Sequence, residues 1–287
     1  MTHSCSGPAR TLAATAILGL ALAATPALAD PPPSHGHAPV QPHRDTDGSL
    51  KRGPHFELIT GNWAGYAVAN FQTGQKYTAA RASWLVAPVV FGPTLSDGSD
   101  EYAASWVGIG GYCTDALCSG ADPTLIQLGT TSEVAPDGTT TYSAWYEMLP
   151  QPPVAIPLAI HANDQVTAAL ECVGACVGKK QPWTLTMTNL STNQSWSHTV
   201  AYASSLLSAE WIEEAPVMGG ILPLANFTVA PFAQAGANGS YPSITLADNG
   251  ILMGDPWGQI GWLSEPGAFN AFNVCYAFLA FTPCPTP

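Results

Sequence analysis

Residues 183–200 read Trp183-Thr-Leu-Thr-Met-Thr188, Asn189-Leu-Ser-Thr-Asn-Gln194, Ser195-Trp-Ser-His-Thr-Val200. In the first stretch apolar and polar side chains alternate strictly, the period of a half-buried strand. The middle six are turn formers, so the whole predicts a β-hairpin. The same pattern recurs along the chain. Ala79-Ala-Arg-Ala-Ser-Trp-Leu-Val86 stops shortly before Pro88, as strands do ahead of a proline. Residues 166–173, 158–161 and 243–246 are further strand candidates, set apart by Gly, Pro, Asn and Asp. Helical periodicity is almost absent, and neither an internal repeat nor a second domain is visible. Many short strands at regular spacing predict an all-β, antiparallel sandwich; spacing does not choose among sandwich types.

The start of the chain has a different character. Arg10 precedes an apolar run from Leu12 to Leu22, which ends in Ala27-Leu-Ala29. That order predicts a signal peptide over residues 1–29 and a secreted, extracellular protein. Residues 30–54 carry Pro31-Pro-Pro33, three histidines and Lys51-Arg52. This composition cannot bury a core and predicts a disordered or loosely docked linker or propeptide, with Lys51-Arg52 as a candidate processing site. Residues 55–287 are long enough for one large sandwich domain.

The sequence has 20 acidic and 8 basic residues and a formal net charge of −12. From His55 onward the only cations besides histidine are Lys76, Arg81, Lys179 and Lys180. Such a surface repels nucleic acid and anionic membranes, so neither is expected as a partner, and the chain reads as a monomer. Low pH would neutralise its carboxylates and leave few charges to repel one another, which suits an acidic environment.

There are seven cysteines, and Cys5 lies in the signal peptide. The other six form three close pairs, Cys113/Cys118, Cys172/Cys176 and Cys275/Cys284. Fifteen connectivities exist for six cysteines, and local pairing is the simplest. No CxxC pair or nearby histidine completes a zinc site, and His161 with Asp164 supplies too few ligands, so no metal is expected.

Five short motifs carry the chemistry: Asn62-Trp-Ala-Gly-Tyr66, Trp106-Val-Gly-Ile109, Leu125-Ile-Gln127, Ala144-Trp-Tyr-Glu147 and Ala209-Glu-Trp-Ile-Glu-Glu214. A glutamine does not titrate, but its amide can donate to a developing oxyanion. A glutamate can take a proton from water and return it to a leaving amine. Together they suffice for peptide hydrolysis. In β geometry Glu210, Ile212 and Glu214 share one face, with Ala209, Trp211 and Glu213 on the other. Parity alone does not say which face lines a cleft.

These motifs, in this order, resemble the eqolisins, a family of glutamic peptidases, over about residues 62–232. The resemblance implies a jelly-roll (concanavalin A-like) sandwich. It also implies a catalytic Gln127–Glu214 dyad and a substrate groove shaped by Trp63, Trp106, Trp145 and Glu147. Protein or peptide substrates, action in acid and no cofactor would follow. It selects Glu214, two positions after the aromatic-Ile pair, and leaves Glu213 at a variable position. The chain departs from the family at Gly110, where an acidic residue commonly follows Val-Gly-Ile; a shifted pH optimum or subsite preference is the expected effect.

Other catalytic signatures are missing: Gly-x-Ser-x-Gly, His-Glu-x-x-His, Asp-Thr-Gly and Asp-Ser-Gly do not occur. The rival reading is a carbohydrate-binding or glycoside-hydrolysing sandwich with Glu147 and Glu214 as its carboxylate pair.

Overall fold

The computed structural model describes residues 1–3, 35–93, 98–177, 179–280 and 283–287. All but the first three residues of the expected signal peptide lie outside these. In chain order the strands are β1 (Leu58–Thr60), β2 (Trp63–Ala69), β3 (Ala79–Leu85), β4 (Glu101–Gly110) and β5 (Leu125–Val134). There follow β6 (Thr140–Met148), β7 (Val154–Ile156), β8 (Gln165–Cys172), β9 (Gln181–Asn189) and β10 (Gln194–Tyr202). The last five are β11 (Ser208–Glu214), β12 (Val229–Ala237), β13 (Gly250–Gly254), β14 (Gln259–Leu263) and β15 (Phe272–Phe278). Helix among the described residues is confined to single turns such as Asn70–Thr73.

The expected all-β class is what forms. Hydrogen bonding runs continuously in the order β10-β9-β8-β3-β12-β15-β14-β13-β2-β11-β4-β5-β6-β7, antiparallel throughout, with β1 added parallel to β13. The predicted hairpin forms as β9–β10, with Trp183 opposite Val200 and Thr188 opposite Ser195. Across the core, the indole N–H of Trp84 in β3 donates to Thr130 in β5 at 2.9 Å, and that of Trp211 in β11 to the Arg81 carbonyl at 2.8 Å. The sheet therefore doubles back on itself over an apolar filling that includes Trp84, Phe232, Leu185 and Val107. Each fully buried large side chain contributes roughly 1.5–3 kcal/mol.

Two strand expectations fail for local reasons. Residues 158–161 are not a strand: Pro157 offers no N–H, and Leu158 turns back to the Ile156 carbonyl. Residues 243–246 run instead into the helical turn Leu246–Asn249, because Thr245 caps it by accepting from the Asp248 N–H. All three local disulfides are formed, Cys113–Cys118, Cys172–Cys176 and Cys275–Cys284.

Residues 35–54, read from composition as a loose segment, lie against the sheet. Gly36 exchanges backbone hydrogen bonds with Val217, Val40 donates to the Gly111 carbonyl, and Pro42 bridges Thr60. His35, His37 and Val40 are buried. Counting apolar side chains missed this because main-chain hydrogen bonds and imidazole contacts hold the segment.

Candidate active site

Five neighbouring strands build the cleft. β11 lies between β2 and β4, and β5 lies between β4 and β6. Register sets Glu210, Gly108, Gln127 and Glu147 in one row across the sheet, and Ile212, Trp106, Gly129 and Trp145 in the next. Glu214 follows in a third row, opposite Trp63 on β2 and Ala104 on β4.

The question parity left open is answered by packing. Ile212 clusters with Trp63, Trp106, Trp145 and Ala67, whereas its neighbours Ala209 and Trp211 join the large core on the other side. Glu214, Gln127 and Glu147 thus share a face with the three tryptophans. Glu213 points the other way and accepts from Ser105 Oγ at 2.5 Å. Gly129 has a steric role: a Cβ there would stand 2.5 Å from Trp106 Cβ, so its absence lets that tryptophan lie across the strand.

The polar contacts form a chain. Gln127 Nε2 donates to Glu147 Oε2 at 2.8 Å. Glu147 Oε1 accepts from the His37 backbone N–H at 3.4 Å. The His37 ring Nδ1 lies 2.8 Å from Glu214 Oε2, which also accepts from the Trp106 indole at 2.9 Å. Glu214 Oε1 receives the Ala38 N–H at 3.3 Å and the Asn62 amide at 3.4 Å. The His37 ring stacks on Trp145, centroids 3.8 Å apart, and Trp145 is fixed from behind by donating to Thr131. Every expected site residue is therefore brought together: Gln127, Glu214, Trp63, Trp106, Trp145 and Glu147.

Burial dominates the electrostatics. It pushes the Glu147 carboxyl up to about 7; His37 opposes this, the Glu214 charge adds to it, and hydrogen bonds from His37 and Gln127 oppose it. Glu147 is thus protonated through most of the acid range. Glu213 rises to about 8, again chiefly from burial. Fully buried Glu210, on the cleft face, also lies well above the carboxylate range because of burial.

Three participants escaped the sequence reading. Asn62 clamps polypeptide: its Nδ2 lies 3.3 and 3.2 Å from the carbonyls of Ala38 and Pro39, and its Oδ1 accepts from the Gln41 N–H at 2.9 Å. His37 was set aside with the linker. Glu210 was recognised only as sharing a face with Glu214. Asn62 stood inside a quoted motif, but a single buried amide carries no periodic signal.

The departure at Gly110 also has a structural reason. Its φ is +92°, and a Cβ would meet the Thr124 carbonyl at 2.1 Å. No L side chain fits there. Asp122 Oδ2 lies 3.2 Å from that Cβ position, so a carboxylate still borders the space. Among the described residues no cluster of three or more His, Cys, Asp or Glu is arranged to hold a metal ion.

Comparison with known proteins gives a consistent result. The model of the peptidase A4 family matches residues 61–254. Aspergillopepsin-2 of Aspergillus niger is 27% identical over 238 residues, covering 76% of this chain and 78% of that protein. Scytalido-glutamic peptidase, solved with a transition-state analogue inhibitor, superposes with a TM-score of 0.56 at 21% identity, covering 76% of this chain and 98% of that one. An eqolisin-family peptidase, SCP-B, solved with the tripeptide Ala-Ile-His, gives 0.50 at 20% identity over the same shares.

Proposed function

Since this chain belongs to the peptidase A4 family, the eqolisins, and is a glutamic endopeptidase, we propose that Glu214 and Gln127 are its catalytic pair. The observation that carries this reading is that polypeptide already lies in the cleft, its backbone bonded to Glu214, Glu147 and Asn62. A groove that accepts main-chain N–H groups on carboxylates and donates to main-chain carbonyls is built for peptides. The glycosidase alternative has no such support.

Ionised Glu214 takes a proton from water as that water attacks the scissile carbonyl, then returns the proton to the leaving amine. The Gln127 amide donates to the tetrahedral oxyanion. Its tether to Glu147 fixes the amide plane, because a protonated or ionised Glu147 holds the same end of the side chain. Trp106 orients Glu214 through the indole N–H, while Trp63 and Trp145 wall the groove. Nothing in these steps requires a metal or cofactor.

The doubled-back sheet and the likeness to scytalido-glutamic peptidase support a jelly-roll sandwich. Export is supported by the expected signal peptide and the three disulfides. The acidic surface supports a monomer that acts on proteins and binds neither nucleic acid nor membrane. The deciding experiment digests a denatured protein at about pH 3 and about pH 7 with the wild type and with Glu214→Gln. Hydrolysis confined to acid and to the wild type is the expected result; an active Glu214→Gln chain would remove the dyad.

A further inference from the structure

We propose that a cavity of about 470 Å³ beyond the far end of the groove is a distal subsite that takes a large apolar side chain of a protein substrate. The proposal rests on the groove being where substrate lies, as read above.

The cavity continues the cleft. On β2, Trp63 stands opposite Glu214 and Ala69 opposite Ser208, so six residues at about 3.3 Å each carry the strand roughly 20 Å from the dyad. The chain then enters the turn Asn70–Thr73, where Phe71 forms one side of the cavity. Tyr112, next in sequence to Gly111, forms another, with its ring nearly parallel to that of Phe71 and the centroids 6.5 Å apart. Leu58, Tyr112 and the Cys113–Cys118 disulfide belong to the same apolar cluster as Trp63, Trp106 and Trp145 of the groove. The polypeptide in the groove bonds Gly111 through Val40 and then turns away at Pro42 to bridge Thr60. An extended substrate that ran straight on would meet the cavity with a residue about six positions from the scissile bond.

The mouth is apolar and open to solvent. Phe56 and Phe71 line it and are 70% and 37% exposed; Leu117, 74% exposed, sits between the lining residues Ala116 and Cys118. Single exposed apolar residues are ordinary, whereas a cluster of them around a cavity marks a binding surface. The charged groups at the edge are already engaged. Arg52 donates to the Phe56 carbonyl at 3.3 Å, Asp115 accepts from the N–H groups of Leu117 and Ser119, and Asp248 accepts from the Thr245 hydroxyl. What remains for a ligand is chiefly hydrocarbon, so a charged side chain finds little to offset its lost hydration.

The walls are preformed. The disulfide closes the 113–118 loop, Thr114 donates to the Gly120 carbonyl, and Asp122 donates to that of Tyr112. Phe56 and Cys118 hold left-handed backbone, φ +73° and +47°. Bulky L residues rarely adopt that conformation, and such strain collects at ligand clamps. A wall that is already ordered loses little entropy when a substrate binds.

The test uses the full chain. Cuts made in a denatured protein in acid, mapped by mass spectrometry, should carry a large apolar residue about six positions away, on one side only. Two synthetic peptides built on such a site, with Phe or Ser at that position, should differ by at least ~10-fold in kcat/KM, the lower range for burying one apolar side chain. The difference should lie in KM, as uniform binding does. Within Phe71→Ala, and within Leu117→Ser, the Phe-to-Ser ratio should fall towards one. A ratio taken inside one variant cancels any loss of folded enzyme, and Leu117→Ser alters an exposed side chain, so it decides if Phe71→Ala misfolds. Calorimetric binding of both peptides to Glu214→Gln reads the same ratio without turnover. A ratio near one in the wild type, or one that neither variant lowers, overturns the subsite. A wild-type dimer that Leu117→Ser dissolves overturns it in favour of a second copy of the chain. Glu214→Gln separates the two readings: if it stays active the dyad fails while a ~10-fold ratio keeps the subsite, whereas a dead Glu214→Gln beside a ratio near one sinks only the subsite.

Discussion

Glu213 and Glu214 are consecutive in the chain and face opposite sides of β11, one bonded to Ser105 beneath the sheet and the other to Trp106 in the cleft. Exchanging each for glutamine should therefore give opposite results. Glu214→Gln should lower the rate of peptide hydrolysis by ~10²–10⁴-fold, since it removes the only proton carrier assigned to the reaction. Glu213→Gln should leave kcat within a few-fold of wild type. Rates with both purified variants on one peptide substrate would check this, and equal losses would move the role away from Glu214.

Gln127→Ala should cost ~10²–10³-fold in kcat, the usual effect of losing an oxyanion donor. The same change frees Glu147 from its hydrogen bond. Gln127→Glu keeps the shape but removes both N–H groups, and should be as damaging wherever the new carboxyl is ionised. Near-normal hydrolysis by either variant in acid would contradict the oxyanion role.

Stability should fall as pH rises. Burial lifts Glu213 to about 8 and Glu101, Glu147 and Asp255 to about 7 in the folded chain. Unfolded, these groups titrate near 4, so between about pH 4 and pH 7–8 the folded state binds more protons. Their contribution is present in full below that window and lost across it. Thermal unfolding followed from pH 4 to pH 8 should show a declining Tm, and Glu213→Gln should reduce the slope. A flat profile would mean that these carboxyls are ionised in the fold.

Gly110→Asp restores the acidic residue common in the family, yet it should destabilise this chain. A side chain at φ +92° is strained, and its Cβ would press on the Thr124 carbonyl. The expected loss is at least ~1–3 kcal/mol, with Gly110→Ala similarly affected. Denaturant melts of the three proteins would test it; an unchanged midpoint for Gly110→Asp would show that the turn can readjust.

What could be read from the sequence follows the physics that each element obeys. The β9–β10 hairpin was legible because both its alternation and its turn residues are local properties. Residues 158–161 and 243–246 were misread because one proline and one threonine cap outweigh a short apolar pattern. The Gln127 and Glu214 assignments came from motif order, while the face they share had to come from packing: period-2 alternation pairs Glu214 with Glu210 but says nothing about which side Trp63 and Trp106 occupy. The His37 contact was invisible for a deeper reason. Its two partners lie 110 and 177 residues away, and nothing local marks a histidine as destined for them.

The insertion of β11 between β2 and β4 also governs when the cleft can exist. A ribosome delivers Trp63, Trp106 and Gln127 long before Glu214, which must enter a gap between two strands already made. Until about three-quarters of the polypeptide has been synthesised, the half-built sheet has its indoles, its amide and Glu147 but lacks Glu214. On the proposed assignment of Glu214, hydrolytic competence is thus deferred by chain order, and the growing molecule would not cut its neighbours.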